Sequence, residues 1–184
     1  KKKKKKKIFF FIFFFLSFEA HGSVKESIIA KLNNTSSLSF NFTQKIDGKL
    51  NDGSCKILYP KKIFCKYKDK YNKEIISNGK TLVIKNLSID QIYRYDLQKT
   101  PFKVILDKEF LIEQINLAKI NIINDNKSSI IIKENNLNFK IFFDLDNHSI
   151  LGWETIDIYQ NTVKFEIFDL VLNISVSDNI FKIN

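Results

Sequence analysis

The sequence predicts a mainly β protein, an antiparallel sandwich or barrel carrying a few short helices. Three observations predict it. Apolar and polar residues alternate with period two over many short runs, as where Leu38, Phe40 and Phe42 interleave with Ser39, Asn41 and Thr43. Turn-forming residues punctuate these runs at spacings of roughly 8–12 residues, and Asn78-Gly79 is a strong two-residue hairpin signal. The alternation gives way to helical spacing only at Ser23 to Asn34 and at Thr100 to Leu117.

The elements follow in chain order. Lys1 to Lys7 are seven consecutive lysines, and Ile8 to Leu16 are nine consecutive apolar residues, six of them Phe. Ser17, Phe18, Glu19, Ala20, His21 and Gly22 follow. A basic start, a short apolar run and a small-residue exit predict a signal peptide over 1–22. The apolar run is about half of the roughly 20 residues that a transmembrane helix requires. Cleavage is placed after Gly22; cleavage after Ala20 and retention as an uncleaved anchor are the alternatives. No Cys follows the apolar run, so a lipid anchor on the mature chain itself is not expected. The remaining 23–184 reads as one domain, long enough to bury a core.

Ser23 to Asn34 predicts a short helix with Ile28, Ile29 and Leu32 on one face. Strands are predicted at Leu38 to Thr43, Ser54 to Tyr59, Lys62 to Lys68, Lys73 to Ser77, Thr81 to Lys85 and Gln91 to Tyr95. From Thr100 to Leu117 the spacing of Phe102, Val104, Ile105, Leu106, Phe110, Leu111, Ile112, Ile115 and Leu117 suits one or two helices, the first opened by Pro101. Strands resume at Ile120 to Ile123, Ser129 to Lys133, Leu137 to Phe143, Gly152 to Tyr159 and Val163 to Leu172, with Ile180 to Ile183 as a last edge strand. The intervening turns are Asn124 to Asn126, Glu134 to Asn136, Asp144 to His148 and Gln160-Asn161.

Cys55 and Cys65 lie five residues either side of Pro60. In a hairpin turning there, Cys55 faces Cys65 and Ile57 faces Ile63. Directly opposed residues of the closer, non-hydrogen-bonded kind come within disulfide reach. In an oxidising compartment this predicts a Cys55–Cys65 bridge; two buried free thiols are the alternative.

The net charge of +10 owes much to the targeting segment. Without the seven lysines and Glu19, 23 basic and 19 acidic residues remain. The lysines are spread singly, as on solvated strand faces, with no basic cluster interleaved with aromatics, which argues against nucleic acid. The abundance of Lys, Ile, Asn and Phe follows A/T-rich codons. His21 falls in or beside the signal peptide and His148 in a turn. No nucleophile–base pair, phosphate-binding glycine loop or metal-ligand spacing is present, so no enzyme, metal or cofactor is expected. What the chain offers is apolar surface, including 18 Phe. Such residues line a curved sheet around an apolar ligand or fill a dry core; composition leaves both open.

Leu38 to Leu106 resembles the periplasmic outer-membrane lipoprotein carrier (LolA-like) family, over about 70 of 184 residues. Phe42-Thr43-Gln44 is similar to the family's F-x-Q strand. Tyr59-Pro60 stands where the family reads Arg-Pro, and Tyr67 at the aromatic ending the next strand. Ser77-Asn78-Gly79-Lys80 resembles the S-D-G-K hairpin, followed by Leu82 and Ile84. Asp90-Gln91 precedes a strand, and Thr100-Pro101-Phe102 resembles the start of a lid helix. The resemblance implies an incomplete antiparallel β-barrel covered by a helical lid. It also implies a monomeric periplasmic chaperone without cofactor. Such a chaperone takes lipoproteins by their acyl chains from an inner-membrane release complex to an outer-membrane acceptor. The expected ligand-binding residues are Phe40, Phe42, Ile57, Ile63, Leu82 and Ile84 on strands, with Phe102, Ile105 and Leu106 on the lid. Trp153 is assigned to the core. Tyr59 occupies the lid-contact position, where a phenol donates one hydrogen bond but forms no guanidinium fork. A periplasmic binder of a free lipid or hydrophobic small molecule is the alternative function.

Overall fold

The computed structural model describes residues 23–134, 137–157 and 160–183. The predicted targeting segment Lys1 to Gly22, most of the turn at Glu134 to Asn136, and Ile158 and Tyr159 at the end of one predicted strand lie outside the described residues.

Helix α1 (Val24–Asn33) begins where the Ser23 hydroxyl accepts from the Glu26 backbone N–H at 3.3 Å and the Glu26 carboxylate accepts from the Ser23 N–H at 2.8 Å. This capping box satisfies two of the donors that a helix start leaves free. Ile28 and Leu32, one turn apart, are buried. Strands β1 (Ser37–Ile46), β2 (Lys49–Leu58), β3 (Lys62–Tyr67), β4 (Lys73–Asn78), β5 (Thr81–Asn86) and β6 (Gln91–Asp96) form an antiparallel meander. Two helices follow, α2 (Phe102–Leu106) and α3 (Lys108–Leu117). Asp107 closes the first and caps the second through its carboxylate, which accepts from the Phe110 N–H. A second meander comprises β7 (Asn121–Asn124), β8 (Lys127–Glu134), β9 (Leu137–Asp144), β10 (Ile150–Ile156) and β11 (Thr162–Leu172).

Strand β11 returns to pair with β1, giving one antiparallel sheet in the order β6-β5-β4-β3-β2-β1-β11-β10-β9-β8-β7. Among the described residues no pairing joins β6 to β7, so the barrel is incomplete, and the helices enter the chain between these two edges. The mainly β, open-barrel architecture is the predicted one.

Three details correct the sequence expectations. Strand β1 and strand β2 extend towards each other to a turn at Asp47 and Gly48, both with positive φ (46° and 76°). This Asp-Gly turn is a favoured hairpin connection, so the run from Gln44 to Gly53 is strand on either side of it. Ile180 to Ile183 is not a strand: Asp178–Phe181 forms a 3-10 turn packed on β3 and β4, capped by the Ser177 hydroxyl, with Phe181 buried. One buried ring holds this segment rather than a ladder of backbone bonds. Strand β10 starts at Ile150 rather than Gly152.

Alternation places one set of side chains on the concave, core-facing side. In the aromatic centre, Phe42 stacks on Phe165 (centroids 4.5 Å apart) and meets Tyr67 edge-on (4.8 Å). Trp153 lies parallel to Phe165 at 4.2 Å. The Phe42 ring occupies the space over Gly53, its cross-strand partner; a Cβ there would collide with that ring and with the Lys66 carbonyl oxygen. Cys55 and Cys65 face each other with Cα atoms 4.1 Å apart and are bridged, and Ile57 faces Ile63. The alternation does not run unbroken. In β11 the inward set passes from Val163, Phe165 and Ile167 to Leu170 and Leu172 across a bulge at Asp169 (φ 52°), which turns Val171 outward. A bulge adds one residue and so exchanges the faces beyond it.

Candidate functional site

The concave face of the sheet is apolar, and α2 is seated on it. Val104, Ile105 and Leu106 are buried there, each worth about 1.5–3 kcal/mol on removal from water. The helix is also gripped at its C-terminal end by the turn between β2 and β3. The buried Tyr59 phenol donates to the Ile105 carbonyl at 3.2 Å. The Lys61 backbone N–H donates to the Leu106 carbonyl at 2.9 Å. The Lys61 ammonium pairs with the Asp107 carboxylate at 3.0 Å. Three consecutive residues at the helix end are thus held by two residues of one turn. The carbonyls of a helix C-terminus lack intrahelical partners, and the turn supplies donors for two of them. Burial holds the Tyr59 phenol far above the usual tyrosine range, so it stays protonated and able to donate.

Two small cavities flank Ile105. One, of about 30 Å³, is walled by Leu32, Phe40, Ile57, Tyr59, Ile105, Trp153 and Leu172 among others, with Lys31, Thr35, His148 and Ser149 also in its lining. The other, of about 150 Å³, is walled by Phe102, Ile105, Phe139, Trp153, Val163 and Phe165, with Gln44 and Thr155 among its polar members. Ile105 and Trp153 line both. Each cavity falls short of the about 300 Å³ at which small-molecule pockets begin. In this conformation Ile105 of α2 forms part of the wall of each. A wider hollow of about 430 Å³ beside the C-terminal 3-10 turn is more polar and lies apart from the helices.

The sequence-predicted residues divide between cavity wall and packed core. Phe40, Ile57 and Ile105 meet in the smaller cavity, with Tyr59 beside them, and Phe102 joins Ile105 in the larger. Phe42, Ile63, Leu82 and Leu106 are fully or almost fully buried in the same core, and Ile84 packs against it, but these five line neither cavity. Trp153, assigned to the core, is buried there and lines both cavities as well. Sequence reasoning did not single out Phe139, Phe165, Ile167, Leu170 and Leu172. Alternation over Val163 to Ile167 marks Phe165 and Ile167, whereas the bulge at Asp169 conceals the phase of Leu170 and Leu172. Among the described residues no group of three His, Cys, Asp or Glu is placed to hold a metal ion, and no helix is long and apolar enough to cross a membrane.

A family model described as outer membrane lipoprotein carrier protein LolA matches residues 33–184. The chain belongs to the LolA family. Membership supports a role in binding lipid or other hydrophobic ligands in the periplasm, the compartment of LolA-like proteins, and those proteins are binding proteins and chaperones rather than enzymes. No curated protein matches the sequence. Among solved structures, an uncharacterized conserved protein from Thermus thermophilus shares the fold (TM-score 0.54, 5% identity, 89% of this chain and 95% of that one). The LolA superfamily protein NE2245 from Nitrosomonas europaea aligns at TM-score 0.46 and 10% identity, over 86% of this chain and 97% of that one. MucB in the Pseudomonas aeruginosa MucA/MucB complex aligns at TM-score 0.48 and 12% identity, over 89% of this chain and 62% of that one. At 5% identity the Thermus thermophilus structure speaks for the fold alone.

Proposed function

We propose that this LolA-family protein is a periplasmic carrier that covers the acyl chains of lipoproteins between the inner and outer membranes. The observation that carries the reading is the position of Ile105. It is a lid side chain between two cavities that share Trp153, on an apolar concave face the lid otherwise fills. Each buried methylene of an acyl chain contributes about 0.8 kcal/mol, so two chains supply ample free energy to displace a five-residue helix. With the cargo gone, α2 returns to its own apolar seat, which permits release without a nucleotide or cofactor. Lipoproteins are the cargo, and an inner-membrane release complex and an outer-membrane acceptor are the partners. The protein acts as a monomer.

The experiment adds the purified protein to inner-membrane vesicles carrying a labelled lipoprotein and an active release complex. Soluble lipoprotein co-eluting with the protein is the expected result. No release, where a known carrier works in the same vesicles and the protein is supplied with its own release complex, refutes the reading. A second reading, binding of a free lipid, draws on the smaller cavity, where Lys31, Thr35, His148 and Ser149 stand beside an apolar interior. Uptake of a fluorescent fatty acid without lipoprotein release would select it.

A further inference from the structure

The larger cavity beside Ile105 has two oxygen atoms in its wall that the fold leaves unserved. Gln44 continues the inward set of β1 after Phe40 and Phe42, and Thr155 continues that of β10 after Trp153. Among the described residues neither the Gln44 Oε1 nor the Thr155 Oγ1 has a hydrogen-bond partner, although both atoms are screened from solvent. Thr155 as a whole is only 8% exposed. Buried polar atoms are paired as a rule, and each exception calls for a reason. Burial and the Asp69 charge raise the Tyr67 phenol, and a side-chain hydrogen bond with Gln44 opposes them. A bond that favours a phenolate is donated to it, so the Gln44 amide nitrogen is the engaged end and Oε1 the open one. Pro101, Phe102 and Ile105 of the lid line the same cavity.

We propose that this cavity, with α2 lifted, is a subsite for an acyl chain joined through a secondary amide. The amide N–H donates to the Gln44 Oε1, its carbonyl accepts from the Thr155 hydroxyl, and the chain lies against Phe139, Trp153 and Phe165. The proposal rests on the carrier reading above. The two side chains select the group. The Gln44 Oε1 only accepts, so the ligand must bring a donor; an ester has none and leaves this oxygen unpaired. A site built to pair with a polar group discriminates against the analogue that lacks it. The Thr155 hydroxyl donates to the carbonyl of either linkage. Gln44 lies opposite Phe165, Phe165 lies opposite Trp153, and Thr155 is two residues further along β10. Their backbones are two strand spacings apart, about 10 Å across the sheet. A group that serves both therefore needs its donor and its acceptor on different atoms, pointing in opposite directions. A trans amide has this form and a hydroxyl does not. A lipoprotein acylated on its terminal amine presents the linkage, and so does a free N-acyl amine.

The test measures displacement of a fluorescent acyl probe from the purified protein by four dodecanoyl ligands. They are the N-methyl amide, the N,N-dimethyl amide, the methyl ester and a hexapeptide acylated on its terminal amine. The N-methyl amide is expected to bind about tenfold more tightly than the dimethyl amide or the ester, which lack the donor. Gln44→Leu should abolish that preference, whereas Thr155→Val should weaken all three small ligands by about threefold to tenfold. Ratios are taken within each variant, so a change in chain burial cancels. The acylated hexapeptide should follow the N-methyl amide, including its loss of affinity in Gln44→Leu. Equal affinity of all four for the unsubstituted protein, or a preference unchanged in Gln44→Leu, overturns the subsite and leaves the carrier reading standing. Discrimination among the small ligands with exclusion of the hexapeptide supports the subsite, assigns it to a free acyl amide and overturns the carrier reading. Failure of all four to displace the probe overturns both.

Discussion

Replacing Tyr59 by phenylalanine isolates one of the contacts that hold α2 down. The ring and its packing remain, while the donor to the Ile105 carbonyl, at 3.2 Å and buried, is lost. A neutral hydrogen bond contributes about 0.5–1.5 kcal/mol net, and a buried carbonyl left without its donor costs about 1–3 kcal/mol. The Lys61 N–H on Leu106 and the Lys61–Asp107 pair persist and keep the helix end close to its seat. The expected loss is therefore about 1–2 kcal/mol, or a five- to thirtyfold rise in the population with α2 open. Native-state hydrogen exchange of residues 102–107 reads this directly, and uptake of a fluorescent acyl probe should accelerate alongside it. Unchanged exchange in α2 would refute the reasoning. Acceleration spread evenly over the whole sheet would refute it too, because the effect would then be on global stability and not on the lid.

Other outcomes follow from the same geometry. Ile105→Asp places an unpaired carboxylate between the two cavities, at a cost of several kcal/mol if α2 stays seated; the protein should remain folded by circular dichroism while lipoprotein release is lost. The double substitution Cys55→Ala with Cys65→Ala removes a bridge of sequence separation 10. By the loop-entropy estimate this costs about 2.7 kcal/mol, so the thermal midpoint should fall by about 5–10 °C, and the unsubstituted protein should show the same fall when reduced. Alkali gives a signed test. Burial raises the Tyr59 phenol, and burial followed by the Asp69 charge raises Tyr67. The folded state therefore holds protons that the unfolded chain releases, so this contribution is complete below about pH 10 and is lost as pH climbs beyond it. The denaturant midpoint should fall above pH 10, less steeply in Tyr59→Phe.

The strand pattern made the sheet legible because its alternation is a local property. The cysteine pair was legible for the same reason: symmetry about Pro60 sets Cys55 opposite Cys65, and the observed register agrees. The Asp47-Gly48 turn was written in the sequence as plainly as Asn78-Gly79 but lay inside polar residues with little alternation to flank it. Two features were not local. The bulge at Asp169 exchanges the faces of β11, and nothing in the run from Val163 to Leu172 announces it. The division between cavity wall and packed core depends on where α2 settles. Phe40 and Phe42 alternate identically in sequence, yet Phe40 reaches a cavity beside Ile105 while Phe42 is enclosed by Tyr67 and Phe165. Tyr59 shows what resemblance adds and where it stops. It drew attention to the lid-contact position, but the donors supplied by Lys61 became visible only with the turn folded against α2.

The strand order has a consequence for how the chain comes into being. The two meanders meet at β1 and β11, so the middle of the sheet joins residues near opposite ends of the described chain, such as Leu38 and Leu172. Strand β11, the partner that unites the sheet, follows every other strand along the chain. Until it pairs, the first meander has an unpaired inner flank at β1, and Phe42 lacks its stacking partner Phe165. Pairings so distant in sequence are slow to form, whereas each meander joins strands that are neighbours in sequence, so the two halves are expected to assemble before β1 and β11 unite them.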